Sequence, residues 1–321
     1  MSMYCGVDLH ARSVQVCIIN ESGEKVQERR MATDLGHIRE VLAPYGPDLR
    51  VAVESTNNWY WLVDGLQESG YDVRLAHTYQ LKLITKAKVK TDQLDAHKLA
   101  RLLRLGELPE GYIYPKETRG IRDLIRRRQK LAQDRARCYH EIRGFLLKHN
   151  CNGLTTSEVK LLCPSDLADL PLPEETCLYC ELVMEKANLL SQQIQAMETY
   201  LKERTLDEPM VQALQELPGI GPLLSMVIFY ETGDITRFAS RRNYSSYCRV
   251  VPPVSQTGET VHRGPGGKAG NVYLKCAYSQ AAVSAVAHYP QIRQFRDRKM
   301  GARPSRLRRL VANCIVAHRL A

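Results

Sequence analysis

The fold is decided by one stretch of the chain, Lys90-Thr91-Asp92-Gln93-Leu94-Asp95-Ala96-His97-Lys98-Leu99-Ala100. Apolar residues recur at helical spacing from Leu94 to Leu103, so the stretch predicts a helix with Asp92 and Asp95 on one face. An aspartate pair at this spacing is also ordinary on a solvated helix surface. The helix alone therefore leaves both interpretations open, a solvated face and an acidic site.

Two further carboxylates lie at the ends of predicted strands. Asp8 ends the first apolar run of the chain, and Glu54 ends a later run, Leu49 to Val53. Open α/β sheets place their ligands at the carboxyl ends of strands. Together with Asp92 and Asp95, these residues form the all-oxygen ligand set that Mg²⁺ or Mn²⁺ requires. This combination favours the acidic site.

The N-terminal region alternates strands with helices. Strands are predicted at 4–9, 14–20, 25–30, 50–54 and 71–76, and helices at 34–43, 57–69 and 92–105. Such alternation predicts an α/β domain, and the rest of the chain reads as mostly α. The expected fold class is therefore α/β followed by a mostly helical part.

Composition limits the class of protein. A length of 321 residues with 44% apolar content suggests about two domains with ordinary cores. A formal net charge of +10 favours a polyanionic partner such as nucleic acid. No apolar run is long enough to span a membrane and no secretion leader is visible, so we expect a cytoplasmic protein.

Lysines lead into the acidic helix. Lys86, Lys88 and Lys90 follow Lys82 at short intervals. A lysine run is usually a solvated face. Next to a set of carboxylates that could bind metal, we interpret it as contacting a nucleic-acid backbone.

A long basic helix is predicted from Pro115 to about Asn150. The arginines expected to contact nucleic acid are Arg119, Arg122, Arg126, Arg127 and Arg128. The alternative is a solvated coiled-coil arm. A second helix, predicted at 174–203, follows a proline-rich break, so the two helices suggest an antiparallel arm that is also available for dimerisation.

The last third contains two glycine-rich segments. Leu217-Pro-Gly-Ile-Gly-Pro-Leu-Leu-Ser225 predicts a turn of the helix-hairpin-helix kind, although a plain turn would look the same. The stretch from Arg249 to Lys275 predicts a flexible loop that lets backbone approach a ligand. Within it, Arg263 and Lys268 are candidate phosphate contacts.

The acidic motifs resemble a known family. The patterns Gly-Val-Asp at Asp8, Val-Glu-Ser-Thr at Glu54 and Lys-Thr-Asp-x-x-Asp-Ala at Asp92 and Asp95 are similar to the acidic tetrad of the DEDD transposases. These are the insertion-sequence one-ten family and the related Piv-type DNA invertases. Their first domain is RuvC-like, with an RNase H-type fold. The segment from Pro-Gly-Ile-Gly onward resembles their C-terminal transposase domain.

The resemblance implies a division into three parts and a function. Residues 1–110 would form the RuvC-like nuclease domain, 111–208 a basic helical coiled-coil arm, and 209–321 the C-terminal transposase domain. The protein would be a site-specific recombinase that mobilises an insertion sequence, acting on donor and target DNA with a structured guide RNA. It would use Mg²⁺ or Mn²⁺, act as a homodimer or homotetramer, and be associated with a prokaryotic nucleoid.

The attacking hydroxyl is where the chain departs from the family. Family members carry a serine nucleophile just before the glycine that is Gly258 in this chain, and that position is Thr257. Ser255 lies two residues earlier. Register favours Thr257 and residue type favours Ser255, so both remain candidates. Impaired strand-transfer chemistry is the third alternative.

Two other functions fit parts of the pattern. A RuvC-type metal-dependent nuclease or junction resolvase would use activated water, and its C-terminal loop would only bind DNA. A non-catalytic nucleic-acid-binding relative would keep the charge without the chemistry. The presence of all four acids disfavours the second.

Overall fold

The chain is described by a computed structural model that covers residues 2–84, 91–151, 153–252, 254–257, 260–263, 269–301 and 305–321. It divides into two compact units, Met1–Lys116 and Glu117–Ala321, called the N-terminal and C-terminal units here. The predicted division into 1–110, 111–208 and 209–321 stays a prediction. No helix among the described residues combines the length and the apolar character needed to cross a bilayer.

A mixed six-stranded sheet forms the N-terminal unit. Its strands are β1 (Tyr4–Leu9), β2 (Ser13–Ile19), β3 (Lys25–Ala32), β4 (Arg50–Glu54), β5 (Asp72–Ala76) and β6 (Glu110–Gly111). The spatial order is β3-β2-β1-β4-β5-β6, with β1, β4 and β5 parallel and the other pairs antiparallel. The unit's helices are α1 (Leu35–Leu42), α2 (Tyr60–Glu68), α3 (Thr78–Ile84) and α4 (Asp92–Leu105). The predicted α/β architecture is confirmed, and it is consistent with an RNase H-like domain.

Alternation along the strands gives the sheet two different faces. One face carries large apolar side chains such as Val7, Val16 and Val53, which are fully buried in a core that includes Ile38 of α1 and Leu62 of α2. Burying such side chains is the main favourable term in folding. The other face carries the small residues Gly6 of β1 and Ala52 of β4, and α4 covers this face.

Helix α4 packs on β1, β2 and β4 with almost no space between backbones. A Cβ atom built on Gly6 would lie 2.0 Å from the carbonyl oxygen of Ala96 and 2.6 Å from the amide nitrogen of Ala100. Ala52 of β4 is also fully buried on this face. The helix begins after Thr91, whose hydroxyl accepts a hydrogen bond from the Leu94 amide at 3.3 Å. Only small residues at these positions allow this approach.

The C-terminal unit is mostly helical. Its helices are α5 (Lys116–Lys148), α6 (Thr156–Val159), α7 (Pro164–Ala168), α8 (Glu174–Thr205), α9 (Pro209–Gln215), α10 (Pro222–Thr232), α11 (Arg241–Tyr247), α12 (Val272–His288), α13 (Pro290–Met300) and α14 (Arg306–Leu320). Two short strands, β7 (Val254–Thr257) and β8 (Thr260–Arg263), form an antiparallel hairpin.

Helices α5 and α8 run antiparallel. The Arg128 Nε atom donates to Glu198 Oε1 at 2.6 Å, and Arg135 Nη1 donates to Ser191 Oγ at 3.1 Å. Partner numbers on α8 fall as residue numbers on α5 rise, so the predicted antiparallel pairing is confirmed. Ile142 and Leu146 are fully buried in the cluster between the two helices.

The predicted loop from Arg249 to Lys275 is wrong in two places. The hairpin β7–β8 forms inside it, and α12 already begins at Val272, after Asn271, whose Oδ1 atom accepts from the amides of Tyr273 and Leu274. The β-branched residues in Val-Ser-Gln-Thr and Thr-Val-His-Arg favour strands. The high glycine content of the flanking segment masked that signal.

The predicted helix-hairpin-helix turn lies between α9 and α10. Gly219 has a φ of 80°, and a Cβ built there would lie 2.2 Å from the carbonyl oxygen of Ala281 in α12. Glycine is therefore required at this position both by the backbone conformation and by the close approach. The helix-hairpin-helix assignment of this turn and its phosphate contact both stay predictions.

Replacing Gly6 tests the close approach of α4. We expect Gly6→Ala to lower the free energy of unfolding of the N-terminal unit by about 1–3 kcal/mol, because the added methyl must push helix and sheet apart. Trp59 and Trp61, the two tryptophans of the chain, both lie in this unit, so urea unfolding followed by tryptophan fluorescence measures it selectively.

Gly111→Ala is the matched control. A Cβ there would lie 3.5 Å from its nearest neighbour, which is ordinary van der Waals distance. Its effect should stay within about 0.5 kcal/mol. Equal stability of the two variants would contradict the packing argument.

Candidate functional site

A row of polar side chains crosses the α4 face of the sheet. Asp8 of β1 pairs with Gln15 of β2, and Gln15 pairs with Arg30 of β3. On the other side, Val7 pairs with Val53 in parallel register, so Glu54 lies level with Asp8. Directly opposite residues on neighbouring strands project from the same face. The sheet therefore brings four residues that are distant in sequence into one line.

Asp8 is the centre of the acidic cluster. Its side chain is 4% exposed, and its Oδ2 atom lies 3.2 Å from His10 Nε2. The same imidazole nitrogen lies 3.3 Å from Oδ1 of Asp92, in the first turn of α4. Ligand atoms of Asp8, His10 and Asp92 all lie within 4.8 Å of one another. This spacing suits a single metal ion with oxygen and nitrogen ligands.

The other two predicted acids interact electrostatically with Asp8 but are not in this close group of ligand atoms. Glu54 is half-buried at the end of β4, and Asp95 is half-buried on α4, where its Oδ1 atom accepts from Lys98 Nζ at 3.0 Å. Burial raises the pKa of Asp8 to about 6, His10 opposes this shift, and the negative charges of Glu54, Asp92 and Asp95 add to it. The N-terminal unit therefore holds a buried carboxylate among like charges.

His10 was missed at the level of sequence. A signal was present, because His10 follows Asp8 by two residues at a strand end, and residues two apart in an extended segment project to the same side. Because Mg²⁺ and Mn²⁺ favour oxygen ligands, the sequence pattern pointed to carboxylates and not to an imidazole.

The predicted basic and nucleophilic residues are only partly described. Lys86, Lys88, Lys90 and Lys268 lie outside the described residues. Ser255 and Thr257 lie on β7, where their backbone partners on β8 are His262 and Thr260, and Arg263 ends β8. The choice between the two hydroxyls stays open.

Several arginines of α5 are committed to contacts within the C-terminal unit. Arg119 and Arg122 are 5% and 8% exposed. Arg122 Nη2 lies 3.1 Å from Oε2 of Glu231, and Arg126 Nη2 donates to the same oxygen at 2.8 Å. Such placement supports a structural role for Arg122 and Arg126.

The two other predicted arginines differ from each other. Arg128 is paired with Glu198 of α8, whereas Arg127 is exposed. Among these five arginines, Arg127 has the placement expected of a surface contact to nucleic acid.

Glu231 of α10 is a fully buried carboxylate that accepts hydrogen bonds from Arg122, Arg126 and Asn271. Burial opposes its ionisation, but the hydrogen bond from Arg126, the charges of Arg122 and Arg126, and the hydrogen bond from Asn271 outweigh it, so its pKa is lowered. Asn271 Nδ2 donates to Glu231 Oε2 at 2.7 Å. Because Asn271 also caps α12, the ionised Glu231 ties α5, α10 and the start of α12 together.

Comparisons with known proteins point to one family. A family model named for DEDD transposases of IS110 type and described as "Transposase" matches residues 5–150. A second, described as "Transposase IS116/IS110/IS902 family", matches residues 211–297.

Three transposases match this chain over at least three quarters of their own length. A "Probable family 20 transposase" of Pseudomonas aeruginosa is 23% identical, over 88% of this chain and 83% of the relative. The "Transposase for insertion sequence element IS1111A" of Coxiella burnetii is 25% identical, over 88% and 78%. The "Transposase for insertion sequence element IS1328" of Yersinia enterocolitica is 22% identical, over 79% and 75%.

The raised pKa of Asp8 predicts a stability that depends on pH. Its pKa rises from 3.8 to about 6 on folding, so the folded state holds the proton more tightly and loses stability as pH rises across that window. Asp8→Asn removes the ionisation. With EDTA present, we expect the variant to match the wild type near pH 4 and to exceed it by about 1–3 kcal/mol at pH 7.5. Urea unfolding by tryptophan fluorescence measures the difference, and a gap that is constant with pH would contradict the burial of this charge.

Neutralising Glu231 should destabilise the C-terminal unit. We expect Glu231→Gln to cost about 3 kcal/mol, because it leaves two cationic side chains without their counter-charge in a buried place. Glu198→Gln is the matched control, since Glu198 is 41% exposed in its pair with Arg128 and such pairs contribute about 0–1 kcal/mol. Urea unfolding followed by far-ultraviolet circular dichroism, which reports mainly the helical unit, compares them. Equal effects would show that burial does not set the importance of these pairs.

Proposed function

Because the chain belongs to the IS110 family of transposases, we propose that it is a DNA recombinase that mobilises an insertion sequence by means of the acidic cluster at Asp8. One observation carries the proposal: the carboxylates of buried Asp8 and of Asp92 both contact the same imidazole nitrogen of His10. The charges of Glu54 and Asp95 also act on Asp8. The transposase names of the relatives support the reaction class.

Asp8, Glu54, Asp92 and Asp95 would hold one or two divalent ions, with His10 as a further donor. The residues fit this role because burial, with the like charges of Glu54, Asp92 and Asp95 added to it, raises the pKa of Asp8, and a bound cation would stabilise the ionised form. When bound, Mg²⁺ or Mn²⁺ supplies Lewis-acid stabilisation of the charge that develops on a phosphodiester. The protein itself would hold the ligand atoms in position. Asp8 and Glu54 belong to strands β1 and β4 of the sheet, and Asp92 and Asp95 belong to helix α4, which packs directly on it.

The nucleophile would be a hydroxyl on β7, from Thr257 or Ser255. Its oxygen would form a bond to phosphorus as the bond from phosphorus to a deoxyribose oxygen breaks. In the net step the proton of the attacking hydroxyl passes to the departing deoxyribose oxygen, and one DNA strand stays covalently attached to the protein. The basic residues Arg263 and Lys268 follow β7 closely in sequence and would offset the phosphate charge.

Nucleic acids and other copies of the chain would be the partners. The net charge of +10 supports binding to donor and target DNA and to a structured guide RNA, which would supply sequence recognition through base pairing. We propose a homodimer or homotetramer associated with the nucleoid. Sequencing of RNA that co-purifies with the protein tests guidance, since a guide must match the DNA that flanks the encoding element.

The covalent link is the decisive test of mechanism. We expect wild-type protein incubated with DNA carrying the ends of its element and with Mg²⁺ to give a DNA-linked polypeptide on denaturing gels. One of Ser255→Ala and Thr257→Ala should abolish the link while leaving DNA affinity within about twofold, because a hydroxyl contributes little charge to binding. Asp92→Asn should reduce cleavage by at least about a hundredfold, because it removes a charged donor from the metal site.

Two outcomes would change the assignment. Full cleavage by the double variant Ser255→Ala/Thr257→Ala would indicate attack by activated water, as in a RuvC-type nuclease. Unchanged recombination by Asp92→Asn would remove the acidic cluster from the mechanism.

A further inference from the structure

A cleft opens beside the acidic cluster, at the sheet edge formed by β3. Its volume is about 420 Å³, and it is lined by Gln15, Glu28, Arg29, Arg30, Thr91, Asp92 and Gln93. The cleft therefore has one acid of the cluster, Asp92, and two arginines in its lining. The predicted site residues include only Asp92 of this group.

Gln15 is the unusual member of the cleft lining. The residue is 3% exposed, and within the described part of the chain its carboxamide makes no hydrogen bond to another residue. Its amide atoms are open to the cleft, because none of them is among the fully buried side-chain polar atoms that lack a partner in the described part of the chain. An amide carries two donor hydrogens and one acceptor oxygen, so a polar ligand in the cleft would satisfy it.

Arg30 is held at the rim of the same cleft. Its Nη2 atom donates to Ser13 Oγ at 3.2 Å and lies 3.9 Å from Asp92 Oδ2. Its side chain is 66% exposed, so N–H donors of the guanidinium can reach a ligand in the cleft. Neighbouring strands lie about 4.8 Å apart, and β3 is two strands away from β1. The backbone positions of Arg30 and Asp8 are therefore separated by roughly 10 Å.

The charges around the cleft favour a phosphate near Arg30. Glu28 opposes an anion, but its Oε2 atom accepts from Lys25 Nζ at 3.2 Å, which offsets its charge. The carboxylates at Asp8 repel a DNA backbone wherever no cation intervenes. Arg30 supplies a permanent cation on the approach to them, and guanidinium geometry suits phosphate oxygens.

We propose that this cleft is a subsite for the phosphodiester of a DNA strand next to the bond that is cut, with Arg30 binding the phosphate and Gln15 donating to the same nucleotide. The inference rests on the proposed function for the identity of the strand. Arg30 and Gln15 then hold the strand in register with the acids, so they are binding and positioning residues.

Salt dependence of binding tests the subsite without any cleavage. The full chain is titrated with a fluorescent single-stranded DNA of mixed sequence at several NaCl concentrations, with EDTA, and anisotropy gives the dissociation constant. We expect Arg30→Gln to weaken binding and to lower the slope of log affinity against log salt by about one, because one phosphate contact is lost. Gln15→Leu should weaken binding and leave the slope unchanged, because it removes an uncharged contact.

Arg50→Gln is the matched control. Arg50 begins β4, at the opposite end of that strand from Glu54, and it loses the same charge; its side chain is 58% exposed and does not line the cleft. An unchanged slope in this variant, with a reduced slope in Arg30→Gln, supports the subsite. A slope for Arg30→Gln equal to the wild type, or an equal fall for both variants, overturns it. A change seen with RNA of the same sequence and absent with DNA would also overturn it.

The two proposals can fail separately. A reduced slope for Arg30→Gln in a protein that never cuts DNA would leave the phosphodiester subsite standing and remove the recombinase assignment. Cleavage by a protein whose slope does not change in Arg30→Gln would do the reverse.

Discussion

The whole N-terminal unit depends on the contact of a helix backbone with a strand backbone. Gly6 is a residue of β1 with no room for a methyl group, because Ala96 and Ala100 of α4 lie directly above it. This contact sets the height of the helix over the sheet. Asp8 follows Gly6 on the same face of β1, and Asp92 precedes Ala96 by about one turn of α4. The distance between the two carboxylates is therefore fixed by small residues that carry no chemistry.

Each unit buries a carboxylate, and the free-energy cost of burying that charge is offset to a different extent in the two units. In the N-terminal unit, carboxylates surround Asp8, and His10 and Lys98 offset only part of the repulsion. In the C-terminal unit, the buried Glu231 receives charged hydrogen bonds from two arginines and an amide, so its pKa falls instead of rising. A satisfied buried carboxylate stabilises a fold, whereas an unsatisfied one is available to a cation. The contrast separates the structural acid from the candidate functional acids on physical grounds.

Much of the fold could be predicted because local patterns were strong. Strands β1 and β4 have the predicted bounds, and α4 ends at Gly106 in a left-handed conformation, as a terminal glycine suggests. Pairing could not be predicted to the same extent. The density of arginines on α5 favoured a nucleic-acid contact. Arg122 instead pairs with Glu231, which lies 109 positions further along the chain, and no local sequence pattern links two residues so far apart. The hairpin β7–β8 was hidden for a local reason, the glycines around it.

The line of side chains across the sheet explains why the cleft was not visible in the sequence. Arg30, Gln15, Asp8 and Glu54 become neighbours only because the strand order is β3-β2-β1-β4, which reverses the chain order of the first three strands. Two antiparallel turns carry a cationic residue to the sheet edge, while the parallel partner β4 places a second acid on the other side of Asp8. The charge therefore changes from positive to negative over three strand spacings, roughly 15 Å. An extended phosphodiester strand lying across the sheet would meet the cation first and the acids afterwards, so the order of the strands gives the site a direction.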